Sequence, residues 1–396
     1  MHPSVNADVL AAAASGDPIA MTRVLVATPS VNPVLAPGGA GERAVAEVAA
    51  RWLNEWGFAV VTTEVAPGRW NVVGSLEGQG PTLLLNGHLD TVGVDGMVDD
   101  DPYSGELRDG RVLGRGSCDM KAGVAALLAA AHRLSLVPAR PGLVVALTAD
   151  EEHASLGMAH LVESGVQADL AVVCEPTSLA VMPAHKGFVW LKAHFRGRAA
   201  HGSRPELGID AIRHAAAYLG ALSAYEAELL SRPRHPLLDF GSFHAGTIHG
   251  GSAESVYPDA CELLLERRTM PGERPSDVVE EFRRVLDGLS TELPELKATL
   301  EMTLERPGTE VPLDSPLVEG LLSACSRLGI ESRVEGMTAW VDAAFLNEAG
   351  IPAVCFGPGD IAQAHTEDEW VEAAQIDRCA DVLESFALAL VAGPPT

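Results

Sequence analysis

Short apolar runs alternate with helical segments over the first 184 residues of the chain. Runs rich in leucine and valine and bounded by Gly or Pro, such as TLLLNGHLD (82–90) and GLVVALTAD (142–150), are typical of strands buried on both faces. Residues 41–57, 119–136 and 155–165 have helical periodicity instead. This alternation predicts an α/β domain whose largely parallel sheet is covered by helices on both faces.

The pattern changes at PAHKGFVWLKAHFRG (183–197), where apolar and polar residues alternate one by one, as in half-exposed antiparallel strands. A βαββαβ order follows, with the later elements at about 207–230, 243–249, 259–269, 275–290 and 297–305. The alternation of helices and buried strands then returns, with a buried strand in GIPAVCFGPG and a last helix over 371–391. We therefore expect one domain of residues 1–184 and 307–396, interrupted by a smaller α+β, ferredoxin-like domain of residues 185–306.

Composition narrows the possible partners. The 54 acidic and 28 basic residues give a formal charge of −26, which disfavours nucleic acid and anionic membranes. The N-terminal segment has no cationic stretch followed by an apolar core, and no window reaches the ~18 apolar residues of a membrane span, so we expect a cytoplasmic protein. The six cysteines are scattered, which predicts reduced, buried side chains and no cysteine metal site.

Acidic and histidine side chains follow the predicted strands, at positions where loops of an open α/β sheet meet in one crevice. Alone, each would be an ordinary loop residue or helix cap. Together, converging carboxylates repel one another unless cations neutralise them. The sequence therefore predicts a divalent metal site. Its candidate residues are His88, Asp90, Asp119, Glu151, Glu152, Glu175 and His365.

Imidazole and carboxylate ligands without thiolate suit zinc, with cobalt or manganese as possible substitutes. A carboxylate shared by two ions is the usual design of two-metal hydrolases. We expect His88 to be a ligand and Asp90, two residues further on, to accept the hydrogen bond of its other ring nitrogen. Asp119 opens a predicted helix whose dipole would keep it ionised; plain N-capping is the alternative.

Glu151 and Glu152 are adjacent, and neighbouring side chains of an extended segment point to opposite sides. One of them can bind metal while the other takes a proton from a metal-activated water and passes it to a leaving amine. The alternative is a pair of acids in the first turn of a helix.

Ordered motifs along nearly the whole chain resemble those of the M20 family of metallopeptidases and deacylases. This group includes acetylornithine deacetylase, succinyl-diaminopimelate desuccinylase, aminoacylase and glutamate carboxypeptidase. The motifs are GHLDTV, GRGSCDMKAG, TADEEHAS.G, CEPT, AAHGSRPELGIDAI, ERRTMPGE and GPGDIAQAHTEDEW. The resemblance implies that His88 and Glu175 bind one zinc ion, that Glu152 and His365 bind a second, and that Asp119 bridges both.

The resemblance also implies roles beyond the ligands. Asp90 supports His88, Glu151 is the general base for attack by a metal-bound hydroxide, and His201 is a histidine of the smaller lid domain that stabilises the oxyanion. In many relatives the partner subunit supplies that histidine, which implies a homodimer formed through the lid domains. A surface-loop role is the alternative for His201.

Arg268 matches the lid arginine that relatives aim at the carboxylate of the substrate. Its alternative is an ion pair with Glu266 or Glu273. The chain departs from many relatives at Ser255 and Tyr257, near a position where they carry Asn before a VP pair. The family's contacts from that segment are therefore not carried over.

The function predicted in this way is removal of an acyl group from an N-acyl amino acid, and GPGDIAQAH favours an acetylornithine deacetylase-like substrate. A carboxypeptidase or dipeptidase, a succinyl-diaminopimelate desuccinylase and a catalytically silent binder of acylated amino acids are the alternatives. Lys186 and Gly187 are predicted to form the hinge between the domains.

Overall fold

The computed structural model describes residues 4–98, 101–331 and 333–392. The chain folds as two compact units. The first contains Met1–Pro183, Val311–Glu335 and Val341–Thr396, and the second contains Ala184–Glu310 and Gly336–Trp340.

Helices and strands alternate along much of the first unit, whereas the second unit has the order strand, helix, two strands, helix, strand. The strands are β1 Ala59–Ala66, β2 Arg69–Leu76, β3 Thr82–His88, β4 Leu107–Arg108, β5 Arg111–Leu113, β6 Gly142–Thr148, β7 Leu170–Val173, β8 Val181–His185, β9 Gly187–Arg196, β10 Ser242–Gly250, β11 Ala260–Thr269, β12 Lys297–Arg306, β13 Val334–Met337, β14 Ala353–Cys355 and β15 Trp370–Glu372. The helices are α1 Ala7–Ala14, α2 Pro18–Val26, α3 Arg43–Glu55, α4 Ala122–Ser135, α5 Leu156–Glu163, α6 Ala211–Ser231, α7 Pro275–Glu292, α8 Pro316–Arg327, α9 Ala343–Glu348 and α10 Ala373–Ala392.

The large sheet has the strand order β1-β2-β6-β3-β7-β14-β8-β13. Its central strands β6, β3, β7 and β14 run parallel, while β1 and β2 pair antiparallel at one side. Every residue of β6 is buried, as expected for a strand covered on both faces. The predicted fold class is therefore confirmed, and it brings the carboxyl ends of β3, β6, β7 and β14 to one edge.

Helix α4 begins later than its sequence pattern predicts. The pattern starts at residue 119, but Asp119 and Met120 have non-helical torsion angles and the helix begins at Ala122. Asp119 is therefore not an N-cap. At Gly123 a Cβ atom would lie 1.9 Å from the carbonyl oxygen of Cys174, so only glycine lets α4 approach the end of β7 this closely.

The second unit has a four-stranded antiparallel sheet of order β10-β11-β9-β12. With α6 and α7 it gives the predicted βαββαβ order. Strand β11 buries alternate residues, and Phe195, Tyr218 and Phe282 form part of the core that it shares with the two helices. The segment Gly336–Trp340 joins this unit although it lies outside 185–306, because Trp340 packs edge-on against Phe188 at 6.1 Å.

All six cysteines are buried and free, as predicted. Within the described ranges, no helix has both the length and the apolar character that a membrane crossing requires.

Candidate metal centre

Three ligand-type side chains meet where two adjacent parallel strands end. His88 is the last residue of β3, and Glu175 follows β7 by two residues. Asp119 lies in the irregular turn Ser117–Lys121 that precedes α4. Its sequence position had predicted a strand end instead. One ligand atom of each residue lies within 4.8 Å of the others, and Nε2 of His88 is 3.0 Å from Oδ1 of Asp119.

A second group shares Asp119 with the first. Asp119, Glu152 and His365 also place one ligand atom each within 4.8 Å of one another. Nε2 of His365 is 2.9 Å from Oε2 of Glu152 and 3.4 Å from Oδ2 of Asp119. The two oxygens of the Asp119 carboxylate therefore face different histidines, which is the arrangement that a bridging ligand requires.

Two of the three carboxylates in these groups have raised pKa values. Burial, with the nearby Asp119, raises the pKa of Glu175 to about 8 and that of Glu152 to about 7. Hydrogen bonds to Asp119 and Glu152 raise the pKa of His365 to about 10. Among the residues that the structure describes, Oε1 of Glu175 is buried without a hydrogen-bond partner. A set of carboxylate and imidazole ligands that contains a buried, unpartnered oxygen fits divalent cations.

Asp90 orients His88 through its main chain and not through its carboxylate, which corrects the sequence prediction. Nδ1 of His88 is 2.9 Å from the backbone oxygen of Asp90 but 3.8 Å from its Oδ1. The carboxylate instead accepts the backbone N–H groups of Glu151 at 3.1 Å and Glu152 at 3.3 Å. Asp90 thus connects the end of β3 to the turn that follows β6.

Glu151 and Glu152 lie in that turn, ahead of α5, and not in the first turn of a helix. Glu152 belongs to the group of His365, whereas Oε2 of Glu151 lies 4.0 Å from Nε2 of His88. Burial and the negative charge of Glu175 raise the pKa of Glu151 well above its usual value. The two neighbours therefore have different surroundings, as the sequence argument expected.

Glu369 is a buried residue of the site that the sequence argument missed. Its carboxylate accepts the backbone N–H groups of Gly116 at 3.0 Å, Cys118 at 2.9 Å and Asp119 at 3.0 Å, and Arg115 Nη1 at 2.6 Å. Glu369 thereby fixes the turn that carries Asp119. Its position four residues after His365, in HTEDEW, was the available signal, because that segment already held a candidate ligand.

Two further predicted site residues belong to the second unit. His201 is exposed, and its Nδ1 lies 2.8 Å from Oγ of Ser203. Arg268 donates to Oε1 of Glu266 at 2.6 Å and stacks over Phe188 at 5.4 Å, which is the ion pair named as its alternative.

The segment around Ser255 and Tyr257 pairs with the segment that carries His201. The backbone oxygen of Ser255 accepts the N–H of Gly202 at 2.7 Å, and the N–H of Tyr257 donates to the oxygen of Ala200 at 2.9 Å. The departure from the family pattern at these two positions therefore lies beside the His201 loop.

Residues 84–389 match the model of peptidase family M20/M25/M40. The chain is similar to acetylornithine deacetylase of Vibrio atlanticus (strain LGP32), with 31% identity over 363 residues that cover 91% of this chain and 94% of that relative. It is likewise similar to acetylornithine deacetylase of Vibrio vulnificus (strain CMCP6), with 32% identity over 366 residues that cover 91% of this chain and 95% of the relative.

Solved structures share the fold at lower identity. Aminopeptidase PepT from Bacillus cereus superposes with a TM-score of 0.77 at 20% identity, covering 96% of this chain and 99% of that one. A dinuclear metal-binding peptidase of the M20 family from Bacillus subtilis superposes with a TM-score of 0.73 at 18% identity, with the same coverage of 96% and 99%. With a family match over most of its length and relatives at about 30% identity, the chain belongs to peptidase family M20/M25/M40 and is a metal-dependent hydrolase of amide bonds.

Proposed function

We propose that the chain is a di-zinc amidohydrolase that removes the acyl group from an N-acyl amino acid, with N-acetylornithine as the first substrate to test. The observation that carries this proposal is the Asp119 carboxylate, whose two oxygens face His88 and His365. One carboxylate between two ligand groups is the design of two-metal hydrolases.

In this proposal His88 and Glu175 would hold one ion, Glu152 and His365 would hold the other, and Asp119 would be a ligand shared by both. The donors fit zinc, since nitrogen and carboxylate oxygen are ordinary zinc ligands and all six cysteines lie outside the two groups. When bound, such ions polarise an amide carbonyl and lower the pKa of a water towards ~7.

Glu151 is the proposed general base. Its carboxylate belongs to neither ligand group, yet it is half-buried and lies near His88. A carboxylate whose pKa is raised in this way can take a proton from the attacking water at its Oε2 and later give it to the leaving amine. We assign His201 to stabilisation of the oxyanion that develops on the substrate carbonyl.

The proposed substrate class draws on the relatives named acetylornithine deacetylase. A formal charge of −26 is compatible with the cationic side chain of ornithine. Arg268 is the proposed partner of the substrate carboxylate. To bind it, the guanidinium would have to leave Glu266 or to contact both carboxylates at once. The free, buried cysteines suit a reducing compartment, and we propose the cytoplasm.

A homodimer through the second unit is part of the proposal. Strand β10 lies at an edge of the four-stranded sheet, and most of its residues are exposed. An exposed edge strand can pair with another chain. Light scattering of the eluted protein should give twice the mass of one 41.5 kDa chain; a monomer at micromolar concentration would remove this part of the proposal.

The test of the proposed function is metal-dependent acyl release. Dialysis against a chelator should abolish release of acetate from N-acetylornithine, and zinc or cobalt should restore it. A panel of N-acetyl and N-succinyl amino acids and dipeptides then defines the substrate. Faster turnover of dipeptides would replace the deacetylase assignment by a peptidase, and metal binding without turnover of any panel member would indicate a silent binder. Turnover indifferent to metal would contradict the mechanism.

A further inference from the structure

A buried ion pair lies behind the turn of Glu151 and Glu152. Arg69, the first residue of β2, is only 3% exposed. Its Nε lies 2.9 Å from both carboxylate oxygens of Glu42, and its Nη1 lies 2.5 Å from Oδ1 of Asp150. Both carboxylates are fully buried, so the one guanidinium serves two buried anions.

Asn32 connects this pair to Asp90. Its side-chain amide is buried and donates to Oδ2 of Asp90 at 2.8 Å and to Oδ1 of Asp150 at 3.0 Å. Its own Oδ1 accepts Nη1 of Arg69 at 3.2 Å. Nη2 of Arg69 lies 3.6 Å from Oδ2 of Asp90. The Asn32 amide and the Arg69 guanidinium both contact the carboxylates of Asp90 and Asp150, which would otherwise repel each other.

Asp90 and Asp150 both form hydrogen bonds within the turn that carries Glu151 and Glu152. Asp90 accepts the backbone N–H groups of Glu151 and Glu152. Asp150, which precedes them, has a left-handed φ of 69°, unusual for a residue other than glycine, and its backbone oxygen accepts the N–H of Ser155 at 2.6 Å. Contacts from outside the turn are what sustain such a backbone conformation.

We propose that Arg69 and Asn32 are positioning residues: they pin Asp90 and Asp150, and so set the position of the Glu151–Glu152 turn. The naming of Glu151 as the base in this turn rests on the proposed function. The geometry of the turn itself does not, because the network consists of contacts between residues of the chain.

Amide hydrogen exchange of the metal-free chain tests the network directly. Asn32→Leu keeps a side chain of similar volume but removes the donors to Asp90 and Asp150. Exchange of the Glu151 and Glu152 amides should become at least about ten-fold faster, as expected for weakened hydrogen bonds. The matched control is Leu321→Ala, a fully buried core position outside the network, which should leave these two amides no more affected than the rest of the unit.

Kinetics with zinc provide the second readout. Asn32→Leu should lower kcat by about 10–100-fold, with KM within about two-fold of the parent and zinc content unchanged. Arg69→Lys should retain more amide protection than Arg69→Gln, because it keeps the charge between Glu42 and Asp150. Unchanged exchange in Asn32→Leu, or a kcat loss no larger than that of Leu321→Ala, would overturn the proposal. An inactive parent enzyme would refute the proposed function, and the exchange data would still decide the network.

Discussion

At the residue scale, the different surroundings of two adjacent acids are the central feature. Glu152 contacts His365, whereas Glu151 lies near His88 and outside both ligand groups. The sequence suggested this division because two neighbouring side chains need different surroundings. The predicted cause of the difference was an extended segment, in which neighbouring side chains point to opposite sides. In the structure the two residues lie in a turn that Asp90 fixes by accepting their backbone N–H groups.

Glu151→Gln should abolish most turnover while metal stays bound. The amide has nearly the same shape but cannot take a proton, and loss of a general base costs about 10²–10⁴-fold in rate. The measurements are kcat on N-acetylornithine and zinc per chain by elemental analysis. Glu163→Gln, at the exposed end of α5, is the control and should keep parent activity. Loss of a zinc ion in Glu151→Gln would show that this residue is a ligand instead.

Glu369→Gln should weaken metal binding by about 10–100-fold, because the amide no longer supplies the charge that holds the Asp119 turn and pairs with Arg115. Competition with a chromophoric chelator measures the affinity. Glu372→Gln, three residues further on, removes a partly exposed ion pair with Arg111 and should leave the affinity unchanged. Equal affinities of the two variants would contradict the role given to Glu369.

Sequence motifs located the candidate ligands because His88, Glu152, Glu175 and His365 follow buried strands that are easy to recognise. The supporting residues were not predictable in the same way. Asn32 and Asp150 are separated by 118 positions, and nothing local to either marks their contact. Such partners are set by tertiary packing.

At the element scale, helix starts and glycines carry most of the differences from the sequence prediction. Helix α6 begins at Ala211, four residues later than predicted, because Asp210 caps it by accepting the N–H of Arg213. Gly187 was predicted to belong to a hinge because of the backbone freedom of glycine. The structure gives a different reason for glycine at this position, which is close packing. A Cβ there would lie 2.3 Å from the nitrogen of Gly308 and 2.4 Å from the oxygen of Arg306.

Gly187→Ala should therefore destabilise the second unit by about 1–3 kcal/mol, the usual cost of overpacking. Gly220→Ala is the matched control, since a Cβ at this position of α6 meets nothing within 4 Å and alanine favours a helix by about 0.5–1 kcal/mol. Denaturant unfolding should show a lower free energy of unfolding for Gly187→Ala and a higher one for Gly220→Ala. Unchanged stability in Gly187→Ala would contradict a packing role for this glycine and would favour the predicted hinge instead.

At the scale of the whole molecule, the candidate ligands all belong to the first unit, whereas His201 and Arg268 belong to the second. The βαββαβ order of elements in the second unit could be predicted from the change in hydrophobic period. The attachment of Gly336–Trp340 to the second unit could not, since it depends on contacts such as that of Trp340 with Phe188.

Metal loading should stabilise the first unit in particular. A ligand that binds only the folded state at 100 times its Kd adds about 2.7 kcal/mol per site. Calorimetry with and without zinc should show a higher Tm for the transition of this unit, and the shift should be lost in Asp119→Ala, which removes the shared carboxylate. An equal shift in that variant would place the stabilising metal elsewhere.

The most direct measurement of the central claim is the anomalous scattering of crystals grown with zinc. We expect two zinc peaks per chain, one beside His88 and Glu175 and one beside Glu152 and His365. The Asp119 carboxylate should contribute one oxygen to each at about 2.0–2.2 Å. A single peak, or two peaks of which Asp119 touches at most one, would contradict the account.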